Sequence, residues 1–120
     1  MTRTLSTYFR RQEFACKCGC GFDTIDAGLI RILEAVRREF HTPVYINSAC
    51  RCEAHNKAVG GSPTSQHVKG RAADIRVPGR TSSEVAKFVE EFMDGEGGIG
   101  VYETFVHVDS RTEGPARWKG

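Results

Sequence analysis

Ten residues in the middle of the chain, Ser65 to Asp74 (S-Q-H-V-K-G-R-A-A-D), limit most sharply how the rest can be arranged. A histidine and an aspartate stand seven positions apart, and Gly70, Ala72 and Ala73 keep the backbone between them slim. Both side chains are good ligands for a borderline divalent cation such as zinc, and the slim backbone lets them converge on one ion. A zinc site needs at least one more protein ligand. The best candidate is His107, in the strand-like run F-V-H-V-D near the C-terminus. Two histidines and one carboxylate leave the fourth position open for water, the layout of a catalytic rather than a structural zinc. Taken singly, each residue has a plainer reading. A lone histidine is most often a hydrogen-bonded surface or core residue, and Asp74 would serve to cap a turn.

The rest of the chain reads as an alternation of amphipathic helices and short strands. Asp26 is positioned to cap a helix over Ala27 to Phe40, in which Leu29, Ile32, Leu33, Val36 and Phe40 recur on one face. His41 belongs to the end of that helix and has no catalytic part. Pro43 breaks it, and Val44 to Ser48 reads as a strand that delivers Arg51 to a loop just past its end. Glu53 to Val59 is a short helix stopped by Gly60-Gly61, and S-P-T-S loops into His67. Ala72 to Val77 is a strand with Asp74 near its start. Thr81 and Glu84 have capping-box spacing, and Val85, Phe88, Val89 and Phe92 line a second long helix to about Met93. Gly98 to Tyr102 and Phe105 to Asp109 form a hairpin. By the period-two rule Phe105, His107 and Asp109 share one face, and Val106 and Val108 point into the core.

With 120 residues, 39% hydrophobic and 27% charged, the chain is expected to be one domain over residues 1–120. Residues 1–12 form a loosely docked segment in which Tyr8 and Phe9 can reach the body, while the first few residues, Arg3 among them, fray. The net charge of +2 and a pI near 8.3 give no argument for nucleic acid. No apolar run approaches a membrane span, so no membrane insertion is expected. The start, M-T-R-T-L-S-T-Y-F-R-R, lacks the apolar stretch of a secretory signal. The chain is expected to be a monomer.

The five cysteines are unusual in their spacing. Cys16, Cys18 and Cys20 form C-x-C-x-C, and Cys50 and Cys52 form a second C-x-C around Arg51. These are not the C-x-x-C knuckles of a zinc ribbon, and the odd number leaves at least one thiol free in a monomer. Three readings compete: buried small residues, one or two disulfides between the segments, or ligands of a second metal.

The pattern S-x-H-x-x-G-x-A-x-D, followed by a strand bearing H-x-D, resembles the zinc D-Ala-D-Ala carboxypeptidase (peptidase M15) family, in its short branch. That family includes D,D-carboxypeptidases, vancomycin-resistance dipeptidases and phage L-alanyl-D-glutamate endolysins, and the Hedgehog signalling domain shares its fold. N-S-A-C-R (Asn47 to Arg51) resembles the family's S-G-Y-R segment, with Ala49 and Cys50 in place of Gly and Tyr. H-N-K-A-V-G-G (His55 to Gly61) resembles its link into the metal motif. G-I-G-V-Y, then F-V-H-V-D-S-R and Arg117-Trp118, resemble its last strands. Coverage runs from about Glu13 to Trp118. That branch often carries such cysteines near its start, and the resemblance therefore favours the packing and disulfide readings together.

The resemblance implies an α+β fold, a small antiparallel sheet with a few helices packed on it. It implies Zn2+ held by His67, Asp74 and His107, and hydrolysis of peptidoglycan stem peptides by a metallopeptidase, as a carboxypeptidase or an endopeptidase. Arg51 matches the family arginine that holds a carboxylate or oxyanion, which suits its planar fork. Ser65 matches the serine that can contact substrate; its plainer reading is a turn hydroxyl. The general base departs from the pattern. Many relatives carry an acid three residues before the last histidine, where this chain has Thr104. Asp109, on the face of His107, is preferred as base or as a carboxylate behind a ligand, with Glu103 at the hairpin turn as the alternative. A zinc-retaining binding or structural module without hydrolysis is the competing function, favoured by Thr104 and opposed by Arg51 and Ser65. A cysteine-rich, zinc-finger-like binder fits poorly with the single-residue gaps. A wall-cleaving enzyme without a signal implies release by lysis or a phage particle.

Overall fold

The computed structural model describes residues 5–120; the expected fraying of the first few residues, Arg3 included, falls outside them. Asp26 caps α1 (Ala27–Phe40) by accepting the Gly28 N–H at 3.1 Å. Leu29, Ile32, Leu33 and Val36 are buried along one face of that helix. It stops where His41 turns left-handed, ahead of Pro43. β1 (Tyr45–Ser48) leads to α2 (Glu53–Ala58), and an irregular loop carries His67 into β2 (Ala72–Arg76). α3 (Ser82–Met93) opens on a reciprocal capping box, Thr81 with Glu84, both bonds 3.1 Å. β3 (Gly98–Val101) and β4 (Val106–Asp109) form the expected hairpin. The elements expected from periodicity lie where the sequence puts them, shifted at most by a terminal residue.

The structure adds a 3-10 turn at Arg11–Phe14 and a fifth strand, β5 (Ala116–Lys119). The sheet order is β1-β2-β4-β3-β5, antiparallel except for β3 with β5, which run parallel. The architecture is α+β, with helices on a mostly antiparallel sheet. Arg117 anchors β5: its guanidinium takes both Glu90 carboxylate oxygens at 2.7 Å and the Gly97 carbonyl at 2.7 Å. That ties the last strand to α3 and to the turn that follows it.

The two faces of the sheet have different duties. Ala73, Ile75, Ile99, Val106 and Val108 turn inward and pack with Leu29, Leu33, Val36, Val85 and Val89 of α1 and α3. Phe9 and Phe14, ring centroids 5.9 Å apart, close the same core, so the N-terminal segment docks through Phe9, while Tyr8 stays exposed under the Arg37 guanidinium. The opposite face carries Ala72, Asp74, His107 and Asp109. Register pairs Asp74 with His107 and Gly100 with His107, and Asp109 with both Ala72 and Gly98. Small neighbours are obligatory there. A Cβ on Gly98 would overlap the Asp109 carboxylate, and one on Gly100 would overlap the Trp118 indole.

All five cysteines are thiols, so the disulfide part of the expectation is corrected: Cys16–Cys18 and Cys18–Cys52 sulfurs stand 3.4 and 3.5 Å apart, against about 2.0 Å in a bond. Cys16 and Cys50 are buried, as the packing reading expects, whereas Cys18 and Cys20 are exposed.

Candidate metal centre

His67 comes from the loop before β2, Asp74 from β2 and His107 from β4. The loop is held in place by backbone bonds. The Arg51 N–H donates to the His67 carbonyl at 3.2 Å, and Gly70 passes so close to the Thr24 carbonyl that a Cβ could not fit. With the β2–β4 register, this brings one ligand atom from each of the three residues within 4.8 Å of the others. The arrangement is compact: His67 Nε2 lies 3.2 Å from Asp74 Oδ1, and His107 Nδ1 lies 3.1 Å from the same oxygen.

The outer nitrogens of both rings fix what the inner ones offer. His67 Nδ1 is 2.7 Å from the Ala49 carbonyl oxygen, which can only accept, so Nδ1 carries the proton. His107 Nε2 is 2.7 Å from Asp109 Oδ2, again an acceptor, so Nε2 carries the proton. In neutral rings His67 Nε2 and His107 Nδ1 are therefore lone pairs, both aimed at a carboxylate oxygen. Three lone pairs facing one another in a mostly buried site need positive charge between them. Titration directions agree. Burial would raise the Asp74 carboxyl, but His107 and His67 hold it well below the usual carboxylate range. Burial would lower the His107 imidazole, but Asp109 and Asp74 on its two sides raise it. The donor set, two imidazole nitrogens and a carboxylate oxygen, is one that zinc accepts, so the residues present fit the ion.

Asp109 is fully buried behind His107. Arg111 grips it by three bonds, from the backbone N–H at 3.1 Å, from Nε at 2.8 Å and from the other guanidinium nitrogen at 2.6 Å. Burial would raise this carboxyl, but Arg111 and His107 hold it well below the usual range. The chain Arg111–Asp109–His107–Asp74 is thus continuous, and a carboxylate behind a ligand histidine fixes its tautomer and ring orientation.

Arg51 stands at the other side of Asp74, 3.6 Å from Oδ2. Its remaining nitrogens are occupied, Nε on Ser48 Oγ at 3.3 Å and one guanidinium nitrogen on Asn56 Oδ1 at 3.1 Å. Asn56 is buried and also holds the Ser62 carbonyl at 2.7 Å, which joins Arg51 to the loop before the metal motif. Ser65 accepts the His67 N–H at 3.2 Å, the turn role, and at the same time lines the cleft.

The cleft over these groups has a volume of about 460 Å³ and is lined by Arg51, Ser65, Gln66, His67, Asp74, Tyr102, Phe105, His107, Arg111 and Trp118, with Ser62 and Thr64 at its rim. Tyr102 and Phe105 stack 4.4 Å apart, and the Trp118 indole N–H donates to the Tyr102 hydroxyl at 2.9 Å, forming one aromatic wall. Glu103 is exposed on the β3–β4 turn and, like Thr104, is not among the lining residues. Asp74 is the one carboxylate lining the cleft among the described residues.

Sequence reasoning gave no role to Arg111, Gln66, Asn56, Tyr102 or Trp118. Arg111 had a signal: it stands two residues past Asp109, at the strand end, where a cation can turn back onto a buried acid. Tyr102 and Trp118 become neighbours only through the parallel pairing of β5 with β3, which no local pattern announces.

A profile of the family described as Peptidase M15 matches residues 7–109. A curated relative from Haemophilus influenzae, named "Probable peptidoglycan L,D-endopeptidase MepK", is 34% identical over 79 residues, which cover 63% of this chain. The match spans 40% of the length of that relative.

Proposed function

The chain belongs to the peptidase M15 family, and from that premise we propose that it is a zinc metallopeptidase hydrolysing a peptide bond in peptidoglycan stem peptides. The observation that carries the reading is the convergence of His67 Nε2, His107 Nδ1 and Asp74 Oδ1, two ring lone pairs and a carboxylate oxygen, at an open cleft. Bound there, zinc would polarise a scissile carbonyl and lower the pKa of a water.

The protein's own groups divide the remaining work. The Ala49 carbonyl and the Asp109–Arg111 pair hold the two imidazoles in the tautomers that face inward. Arg51, fixed by Ser48 and Asn56 before any substrate arrives, presents a planar cation to a substrate carboxylate or to oxygen charge developing at the carbonyl. The aromatic wall of Tyr102, Phe105 and Trp118 gives the alkyl part of a stem peptide an apolar surface and keeps water from one side. Ser65 offers its hydroxyl at the rim. Asp109 is assigned a positioning role: its carboxylate is fully engaged, and acting as a base would require it to leave Arg111. The name of the Haemophilus influenzae relative makes an L,D bond within the stem the first substrate to try.

A second reading has its own observation. Neither Glu103 nor Thr104 lines the cleft, and Asp74 is the only carboxylate there among the described residues. A module that keeps the metal and binds stem peptides without cutting them would look like this. Incubating purified muropeptides with the protein, with and without chelator, and identifying products by mass separates the two. Hydrolysis that chelation stops and zinc restores supports the peptidase. Retained zinc and intact muropeptides refute it and support the binding module.

A further inference from the structure

None of the five cysteines lines the cleft, yet the fold gathers four of them. Cys16, Cys18 and Cys20 lie on the N-terminal loop, and Cys52 is the residue that caps α2. In an extended strand Cys16 and Cys20 would be about 13 Å apart. Here the loop turns at Gly19, left-handed at φ 82°, and the Gly19 N–H closes on the Cys16 carbonyl at 3.1 Å. The sulfurs of all four residues come within 4.8 Å of one another. The closest pairs, Cys16–Cys18 at 3.4 Å and Cys18–Cys52 at 3.5 Å, are far longer than a disulfide. A zinc at about 2.3 Å from four sulfurs sets them about 3.8 Å apart, close to what the thiols already show.

The surroundings are built for thiolates. The Cys52 N–H points at Cys16 Sγ at 3.4 Å, and the His55 N–H, in the first turn of α2, points at Cys52 Sγ at 3.4 Å. Cys50 is the odd thiol and stays outside: it is buried and donates to the Thr24 carbonyl at 3.5 Å. Five cysteines thus divide into four that converge and one that packs.

We propose that Cys16, Cys18, Cys20 and Cys52 hold a second zinc ion, in a closed tetrathiolate site that is structural. Four protein sulfurs fill a tetrahedron and leave no position for water, unlike the His67–Asp74–His107 centre. Binding is not a redox step: each thiol that ligates releases its proton to solvent and the metal stays divalent. The site staples the N-terminal loop to the residue that follows Arg51 and to the start of α2. The same helix supplies Asn56, which holds the Arg51 guanidinium. The second zinc therefore positions the substrate-facing arginine from outside the cleft.

Metal counting and cobalt spectroscopy on the full chain test this independently of hydrolysis. The wild type should carry two zinc ions per chain by native mass spectrometry. Cobalt(II) exchange should give the intense near-ultraviolet sulfur-to-cobalt charge transfer that a histidine–carboxylate site cannot produce. Cys18 and Cys20 are exposed, so the double variant Cys18→Ser/Cys20→Ser removes no core packing. It should keep one metal and lose the charge-transfer band, while His67→Ala should lose the other metal and keep the band. A wild type with one metal and no charge transfer refutes the proposal, as does a mass lowered by two hydrogens per disulfide. Visible absorption of a ferric thiolate in the purified protein would overturn the assignment to zinc.

Discussion

Replacing Asp109 by asparagine keeps the shape of a fully buried side chain and removes its charge. The carboxylate accepts from His107 at 2.7 Å and takes the Arg111 side chain at 2.6 and 2.8 Å. An asparagine oxygen can still accept the His107 proton, so the ring keeps its tautomer but loses charge assistance, which roughly halves that bond. Loss of such a partner typically weakens metal binding 10- to 100-fold, by about 1.4 to 2.7 kcal/mol. Arg111 loses a bidentate partner, and hydrogen bonds to charged groups are worth about 1.5–3 kcal/mol. Its side chain is 22% exposed and can turn to water, so we expect about 2 kcal/mol of lost stability, roughly 8 °C in Tm for a chain of this size. Because Asp109 titrates well below its ordinary value in the fold, its contribution is present above the unfolded value of about 3.9 and is lost as pH falls through the folded one. The gap between wild type and variant should therefore narrow in acid. Zinc competition with a chromogenic chelator and thermal melts by circular dichroism across pH measure these effects, and muropeptide turnover separates the positioning role from that of a base. Unchanged zinc affinity together with abolished turnover would refute the positioning role and make Asp109 the general base.

Three further variants and one control address other parts of the fold. Arg51→Ala should leave zinc in place and reduce turnover on the order of 100-fold; a fully active variant would remove Arg51 from the site. Glu103→Gln, on the exposed turn, should leave turnover within a factor of two, and its inactivation would bring that turn into the chemistry. Gly98→Ala forces a methyl into the space of the Asp109 carboxylate. It should cost about 1–3 kcal/mol by denaturant titration and weaken zinc binding, whereas the same change at Gly79, where nothing lies within 4 Å, should leave the zinc site untouched.

Helices and central strands were legible because periodicity and caps are local: Asp26, Thr81 and Glu84 mark starts, and Val106 and Val108 alternate with His107 and Asp109. The phase of β4 correctly put His107 and Asp109 on one face. It could not tell that Asp109 is closed off by Arg111, because the side chain that blocks it returns from beyond the strand. Periodicity did not announce β5 for a related reason, and only the family resemblance touched Arg117-Trp118. Four residues after Pro115 carry too little alternation to announce a strand, and their parallel pairing with β3 depends on the Arg117–Glu90 clamp. The cysteines show the limit most plainly. C-x-C-x-C read as a strand would spread its thiols along one face, and only the turn at Gly19 gathers them against Cys52 from a distant segment.

On the proposed reading, the inward lone pairs of His67 and His107 and the Asp74 oxygen share one divalent cation. Anomalous diffraction from crystals of the zinc-loaded protein, recorded on both sides of the zinc edge, locates that cation. A peak is expected bonded to His67 Nε2, His107 Nδ1 and Asp74, with zinc-to-nitrogen distances of about 2.0–2.1 Å and the outer nitrogens still on Ala49 and Asp109. Zinc confined to the cysteines, with the two imidazoles protonated on Asp74, would contradict it.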